Sequence, residues 1–390
     1  MLKIPKKIQY VLSSLQKSGH KAYIVGGCVR DMLMGKTPHD FDITTSANTD
    51  EITALFKKTI PTGLKHGTVT VLIENEPIEV TTFRTEADYL DHRHPDTIKF
   101  VDNLSEDLSR RDFTVNAIAY NENEGIVDLF GGNTDIKKKI LRCVGNPETR
   151  FTEDALRILR LFRFASTLNF SIEETTLNAA LKMAYLLKKI SSERILSELK
   201  KAVMGENLEA FSPLINSGAL KFLKIENLPN FKIIDRLKTE DLRLFAFLYF
   251  ASSDLEQTLN ILKASNSLKN YCKALKELLS LPVPKNKVDI KILLGKYGTD
   301  VLKDYFKIYE IISNENTASL NIILSEIISN NEPYLIKHLE IGGKELDSLG
   351  YKGSEIKEKL EFLLEKVIEN PNLNRKENLK AILTNTASAP

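Results

Sequence analysis

The stretch that decides both fold and site is YIVGGCVRDMLMGKTPHDFD, residues 23–42. Its first three residues predict a short apolar strand. Gly26 and Gly27 predict a turn at which backbone can approach a ligand closely, because no side chain intervenes. Residues 28–34 then predict a helix whose free N–H groups point back at the glycines. Such a turn is a suitable cradle for phosphate, and Arg30 adds a cation in the first helical turn.

Asp40 and Asp42 close this stretch. If they lie on one strand, residues two apart share a face and both carboxylates point the same way. Facing carboxylates repel each other unless a cation lies between them, and Mg²⁺ prefers such oxygen ligands together with substrate phosphates. Two solvent-facing acids after an ordinary turn are the alternative interpretation. A glycine turn and an acid pair this close together favour a nucleotide site that holds Mg²⁺.

Two strand-like runs, residues 68–73 and 78–83, predict a hairpin beside the acid pair. Glu79 lies in the second run, on the face opposite to Ile78 and Val80. It is therefore either a third carboxylate of the metal site or an ordinary exposed strand residue, and the pattern favours neither.

Residues 84–100 are polar and mixed in charge, which predicts a mobile loop. His92 and His94 lie within it. Neither has a neighbouring cysteine or further histidine, so a metal site built on this pair is disfavoured.

The totals for the chain exclude several classes of protein. Of the 390 residues, 42% are hydrophobic and 27% charged, which is typical of a globular protein with several domains. A net charge of +2 means that any nucleic-acid surface must be local. Three widely spaced cysteines predict no disulfide framework and suit a reducing cytoplasm. The N-terminus predicts an amphipathic helix, and no apolar run approaches the ~18 residues that span a bilayer.

The run RRDFTVNAIAY, residues 110–120, brings two adjacent arginines before an apolar segment. Such a pair can simply face solvent. A guanidinium also presents a planar fork of donors, which is suited to clamping phosphate oxygens.

The run EDALRILRLFRFA, residues 153–165, predicts a helix with Thr152 as its N-cap and Asp154, Arg157 and Arg160 along one side. A salt-bridged amphipathic helix is the ordinary interpretation. An aspartate and an arginine held rigidly together can also read the edge of a base. The carboxylate accepts from the exocyclic amine that C and A share, and the guanidinium donates to a ring nitrogen or carbonyl.

Together these runs resemble the class II tRNA nucleotidyltransferase and poly(A) polymerase family. Its signatures read G-G-x-V-R-D…D-x-D, R-R-D-F-T-x-N-A and E-D-x-x-R-x-x-R-x-x-R-F-A, and the likeness extends over roughly residues 20–200. The resemblance implies an α+β fold, in which a nucleotidyltransferase head with a small mixed or antiparallel sheet precedes a helical neck, body and tail. The expected divisions are residues 1–146, 147–212, 213–285 and 286–390.

The resemblance also implies an activity, the template-independent addition of C, C and A to the tRNA 3′ end from CTP and ATP. Asp40 and Asp42 would be catalytic and hold two Mg²⁺ ions. Asp154 and Arg157 would select the base, and the tail would bind tRNA. The residues expected to contact the nucleotide are Gly26, Gly27, Arg30, Arg111, Asp112, Asn116, Asp154, Arg157, Arg160 and Arg163.

Four alternatives stay open at this point. An enzyme that adds only A keeps the loop of residues 84–100, whereas one that adds only CC typically has it shortened, so its full length argues against CC addition. A poly(A) polymerase of this family usually carries a basic neck signature that this sequence lacks. A non-catalytic RNA-binding protein is disfavoured, because the predicted catalytic and base-reading residues are all present.

Overall fold

The computed structural model describes residues 2–87 and 97–387, and within them the chain forms a mixed sheet followed by helices. The strands are β1 Ala22–Val25, β2 Asp42–Thr45, β3 Thr59–Gly63, β4 Thr68–Ile73, β5 Glu76–Thr82, β6 Arg84–Ala87, β7 Thr97–Phe100, β8 Ile118–Asn121, β9 Gly125–Asp128, β10 Ile140–Leu141 and β11 Ser171–Ile172.

The helices of the first half are α1 Lys6–Lys17, α2 Gly27–Leu33, α3 Thr49–Leu55, α4 Leu104–Ser109, α5 Gly132–Lys138, α6 Pro147–Glu153, α7 Leu156–Leu168, α8 Glu174–Met183, α9 Ser192–Val203 and α10 Ser212–Asn216. Those that follow are α11 Phe231–Asp235, α12 Glu240–Ala251, α13 Leu255–Ile261, α14 Asn266–Ser280, α15 Lys287–Tyr297, α16 Thr299–Ser313, α17 Ala318–Ser329, α18 Gly343–Ser348, α19 Ser354–Glu369 and α20 Lys376–Ala387.

The main sheet has seven strands in the order β3-β4-β5-β2-β1-β8-β9. Strand β2 pairs with β5 in parallel, whereas the other neighbours are antiparallel, so the predicted mixed sheet is confirmed. The β4–β5 hairpin lies beside β2, as expected. One face of the sheet buries an apolar cluster beneath α4, whose members are Tyr23, Val25, Phe83, Leu104, Leu108 and Ala119.

The chain separates into two compact units. The first comprises residues 1–231 and 239–264 and contains the sheet and the helices that follow it directly. The second comprises residues 232–238 and 265–390 and is helical throughout its described part. The predicted four-part division into head, neck, body and tail is finer than this and stays a prediction.

Each unit has its own buried core. In the first unit, α7 buries Ile158, Leu159 and Phe162. In the second, α18, α19 and α20 pack Leu346, Leu363 and Leu379 together. Lys291 is also buried there, 1% exposed, and its ammonium lies 2.8 Å from a carboxylate oxygen of Glu332. A buried lysine is tolerated because it is paired in this way.

The described part of the chain bears on two expectations, one about the cysteines and one about membrane-spanning helices. Cys28, Cys143 and Cys272 are free and buried, which confirms that the cysteines form no disulfide framework. Within the described residues, no helix combines the length and the apolar character needed to cross a bilayer. A cytoplasmic location stays a prediction.

Several local expectations are wrong. Strand β2 begins at Asp42, so Asp40 lies in the preceding connection instead of on the same strand. The helix predicted from Thr152 is divided, because α6 ends at Glu153 and Asp154 adopts an extended conformation with φ −134° and ψ 103°. The Asp154 carboxylate accepts a hydrogen bond from the Leu156 N–H at 3.0 Å. Aspartate competes with helix formation through such local bonds, which accounts for the break.

Thr152 is not an N-cap in this structure. Its hydroxyl donates to the Glu148 carbonyl at 2.8 Å, within α6. The cap of α6 is Asn146, whose side chain accepts from the Thr149 N–H at 3.1 Å. Asn146 and the proline after it carry the usual start signals of a helix.

Candidate active site

The glycine turn lies between the end of β1 and the start of α2. Gly26 has φ +81°, a conformation that other residues rarely adopt, and a Cβ there would lie 3.0 Å from Nη1 of Arg111. Gly27 begins α2. Arg111 therefore lies directly against the turn, which brings the first two sequence motifs together.

Asp42 and Glu79 are partners across the parallel β2–β5 pair, and their side chains therefore project from the same face of the sheet. Both residues are exposed. Desolvation by the surrounding protein raises the pKa of the Asp42 carboxylate. Arg111 lowers this pKa and the Asp40 carboxylate raises it, and the net shift is upward. Partial desolvation and the carboxylates of Asp42 and Asp40 raise the pKa of Glu79. The three acids thus lie close enough to repel one another.

This donor set fits Mg²⁺, because crowded carboxylate oxygens are hard ligands that a divalent cation would stabilise. Among residues 2–87 and 97–387, no three His, Cys, Asp or Glu side chains form a ready metal cage. That Asp40 and Asp42 hold Mg²⁺ therefore stays a prediction. Whether Glu79 ligates the metal stays a prediction.

Asp107 on α4 anchors both arginines of the second motif. It is 0% exposed and accepts from Arg110 at 2.8 and 3.0 Å and from Arg111 at 3.3 Å. The Thr44 hydroxyl also donates to it at 3.2 Å. Burial alone would raise the pKa of Asp107, but the two guanidinium groups hold it below its usual value. A charged Asp107 thus fixes Arg111 beside the strand that carries Asp42.

A continuous hydrogen-bonded chain runs from α2 to α7. Arg30 donates to the Asn116 side chain at 2.7 Å, and Asn116 donates to Asp112 at 3.1 Å. Asp112 then accepts from Arg160 at 2.6 and 2.9 Å. Burial would raise the pKa of Asp112, but Arg160 and the hydrogen bond from Asn116 hold it at about 2. Asp31 accepts from Nε and Nη2 of Arg30, at 2.9 and 2.7 Å.

Phe164 on α7 lies at the centre of three guanidinium groups. Those of Arg30, Arg160 and Arg163 lie 5.3, 5.2 and 3.8 Å from its ring centroid, within the range of cation–π attraction. Arg163 also pairs with the carboxylate of Glu198 on α9. These contacts connect α7 to α2 on one side and to α9 on the other.

Arg157 joins the third motif to the second. It is 7% exposed, and its Nη1 donates to Glu153 at 2.6 Å. Its Nη2 donates to the backbone carbonyl of Arg110 at 2.9 Å. Arg157 is therefore held beside the residue that precedes Arg111. Asp154, by contrast, pairs with Arg194 on α9 at 3.0 Å.

The predicted site residues thus come together around one region of the first unit, whereas His92 and His94 lie outside the described residues. Sequence reasoning missed Asp107, Glu198 and Arg194 as partners of site residues. Asp107 had a usable signal, because it precedes Arg110 and Arg111 by three and four positions, the spacing of helical ion pairs. For Glu198 and Arg194 the spacing does not indicate the partner, because the partners lie 35 and 40 residues away along the chain.

Two known protein families match parts of the first unit. Residues 22–142 match the family described as "Poly A polymerase head domain", and residues 169–229 match "Probable RNA and SrmB- binding site of polymerase A". A CCA-adding enzyme of Staphylococcus saprophyticus is 38% identical over 387 residues, covering 95% of this chain and 96% of that protein. A CCA-adding enzyme of Lactobacillus helveticus is 52% identical over 211 residues, 53% of each chain.

A solved structure resembles the chain over almost its whole length. The crystal structure of Bacillus stearothermophilus CCA-adding enzyme in complex with CTP matches with a TM-score of 0.85 and 29% identity. The likeness covers 98% of this chain and 99% of that one.

Proposed function

We propose that this chain, which belongs to the family of CCA-adding enzymes, adds C, C and A to the 3′ end of tRNA from CTP and ATP and releases pyrophosphate. The observation that carries the proposal is the hydrogen bond from Arg157 to the Arg110 carbonyl. Through it Arg157, one of the two residues that would read the base, is held beside Arg111, which lies against the glycine turn. One nucleotide can therefore contact the base reader and the phosphate clamp together.

Asp40 and Asp42 would hold the metal, with Arg111 and the turn at Gly26 and Gly27 positioning the triphosphate. Two Mg²⁺ ions held there would lower the pKa of the attacking 3′-hydroxyl and neutralise the departing pyrophosphate. The 3′-oxygen of the tRNA forms a bond to the α-phosphorus as the bond to pyrophosphate breaks. The protein orients both reactants, which is the larger part of catalysis in phosphoryl transfer.

Asp154 and Arg157 would replace a nucleic-acid template. The carboxylate accepts from the exocyclic amine of C or A, and the guanidinium donates to the ring. G and U carry a carbonyl where the amine would be, so the carboxylate repels them. The pairing of Arg157 with Glu153 keeps the guanidinium in one orientation, which this discrimination requires.

A product assay tests the proposed function. The protein should extend tRNA that lacks its 3′ end by C, C and A, should add A alone to tRNA ending in CC, and should leave complete tRNA unchanged. Sequencing the products after incubation with Mg²⁺, CTP and ATP distinguishes the alternatives. Addition of A only, of CC only or of a run of A would each replace the proposal with another member of the family. No pyrophosphate release would indicate an RNA-binding protein.

Replacing Arg157 with alanine should blur the choice of base. Each bidentate base contact contributes about 1–3 kcal/mol of discrimination, so the preference for CTP over UTP should fall by roughly tenfold or more. The measurement is kcat/KM for all four nucleotides with tRNA lacking its 3′ end. Lys182→Ala, an exposed change on α8, is the control. Unchanged preference in Arg157→Ala would mean that the base is read elsewhere.

A further inference from the structure

Asp154 does not have the rigid helical setting that its predicted role requires. It lies in the extended break between α6 and α7. Its orientation is set instead by two donors, one on each carboxylate oxygen. The Leu156 N–H donates to Oδ1 at 3.0 Å, and Nη2 of Arg194 donates to Oδ2 at 3.0 Å. The first donor is local, whereas the second comes from another helix, α9.

The other amino group of Arg194, Nη1, is buried and has no hydrogen-bond partner among residues 2–87 and 97–387. Leaving a buried donor unpaired costs free energy, and buried polar groups in native proteins are nearly always satisfied. The guanidinium makes its hydrogen bond to the described residues through Nη2, at Asp154.

We propose that Arg194 is a positioning residue for base selection, which rests on the proposed function of this site. With Leu156 N–H as its only donor, the carboxylate of Asp154 could rotate away from the base edge. The ion pair with Arg194 keeps the second oxygen in place, so that a carbonyl on U or G meets fixed negative charge. Specificity of this kind depends on holding the repulsive group still.

The geometry separates Arg194 from the residues already assigned to selection. Arg157 is tied to Glu153 and to the backbone carbonyls of Arg110 and Arg150. Arg194 belongs to α9 and reaches the site through Asp154. Loss of Arg194 should therefore release Asp154 while Arg157 stays in place, and discrimination should weaken without loss of the phosphate contacts.

The test uses the full chain with Arg194→Gln, which keeps most of the side-chain length but removes the charge. With tRNA lacking its 3′ end, we expect the CTP-to-UTP ratio of kcat/KM to fall at least about tenfold, the scale of one specific base contact. The KM for tRNA should stay unchanged. Arg194→Lys, which can still place a cation against Oδ2, should recover most of the ratio.

Glu193→Gln is the matched control, because it changes the neighbouring residue of α9, whose carboxylate pairs with the exposed Lys263. It should keep the wild-type ratio. If Arg194→Gln slows addition of all four nucleotides equally, or if Arg194→Lys fails to recover the ratio, Arg194 is not a positioning residue. A wild-type protein that does not prefer CTP and ATP would instead refute the proposed function itself.

Discussion

Replacing Asp42 with alanine should lower nucleotide addition at least about a thousandfold, since metal-assisted charge stabilisation supplies several kcal/mol and ~4 kcal/mol corresponds to this factor. Asp42 lies at the start of β2, beside Asp40 and opposite Glu79. Its removal would leave a Mg²⁺ site with one of its two proposed ligands. Addition of radiolabelled CMP to tRNA measures the loss. The affinity for tRNA, measured separately, should stay unchanged.

The same change should leave the fold intact. The surrounding protein and Asp40 raise the pKa of Asp42, so the charged carboxylate is disfavoured in the folded state. Removing it relieves repulsion, and the thermal midpoint should therefore not fall. Asp102→Ala, which removes an exposed acid from the same unit, should change neither activity nor stability. Wild-type turnover in Asp42→Ala would rule out the proposed metal site.

Contacts that depend on local spacing could be predicted from the sequence, whereas contacts between elements far apart along the chain could not. The glycine turn, the β4–β5 hairpin and the Glu153–Arg157 pair follow from short-range rules. The helix break at Asp154 was missed because helical periodicity continues across it. What ends α6 is one side-chain hydrogen bond, to the Leu156 N–H, and periodicity contains no information about it.

The pairing of Asp112 with Arg160 could not be predicted for a different reason. The two residues lie 48 positions apart, and a single sequence does not indicate which of many arginines meets a buried acid. Motif resemblance identified both residues as candidates for the nucleotide. In the structure they instead satisfy each other, and they also connect α7 to Asn116 and Arg30. A role at the nucleotide stays a prediction for both.

Replacing Asp112 with alanine should destabilise the first unit by about 2–3 kcal/mol. Breaking a buried ion pair costs more than this, but Arg160 is one-third exposed and can be partly rehydrated. Urea unfolding at neutral pH measures the change. Glu148→Ala, which breaks the exposed pair with Lys182, should cost less than about 1 kcal/mol.

The dependence of this effect on pH provides a sharper test. The pKa of Asp112 is about 2 in the folded protein, below the ordinary value of 3.8, so its carboxylate stabilises the folded state above the higher value. That contribution is lost as the pH falls from about 4 towards 2. The difference in stability between wild type and Asp112→Ala should therefore shrink over this range. A difference independent of pH would mean that Asp112 contributes through packing and not through its charge.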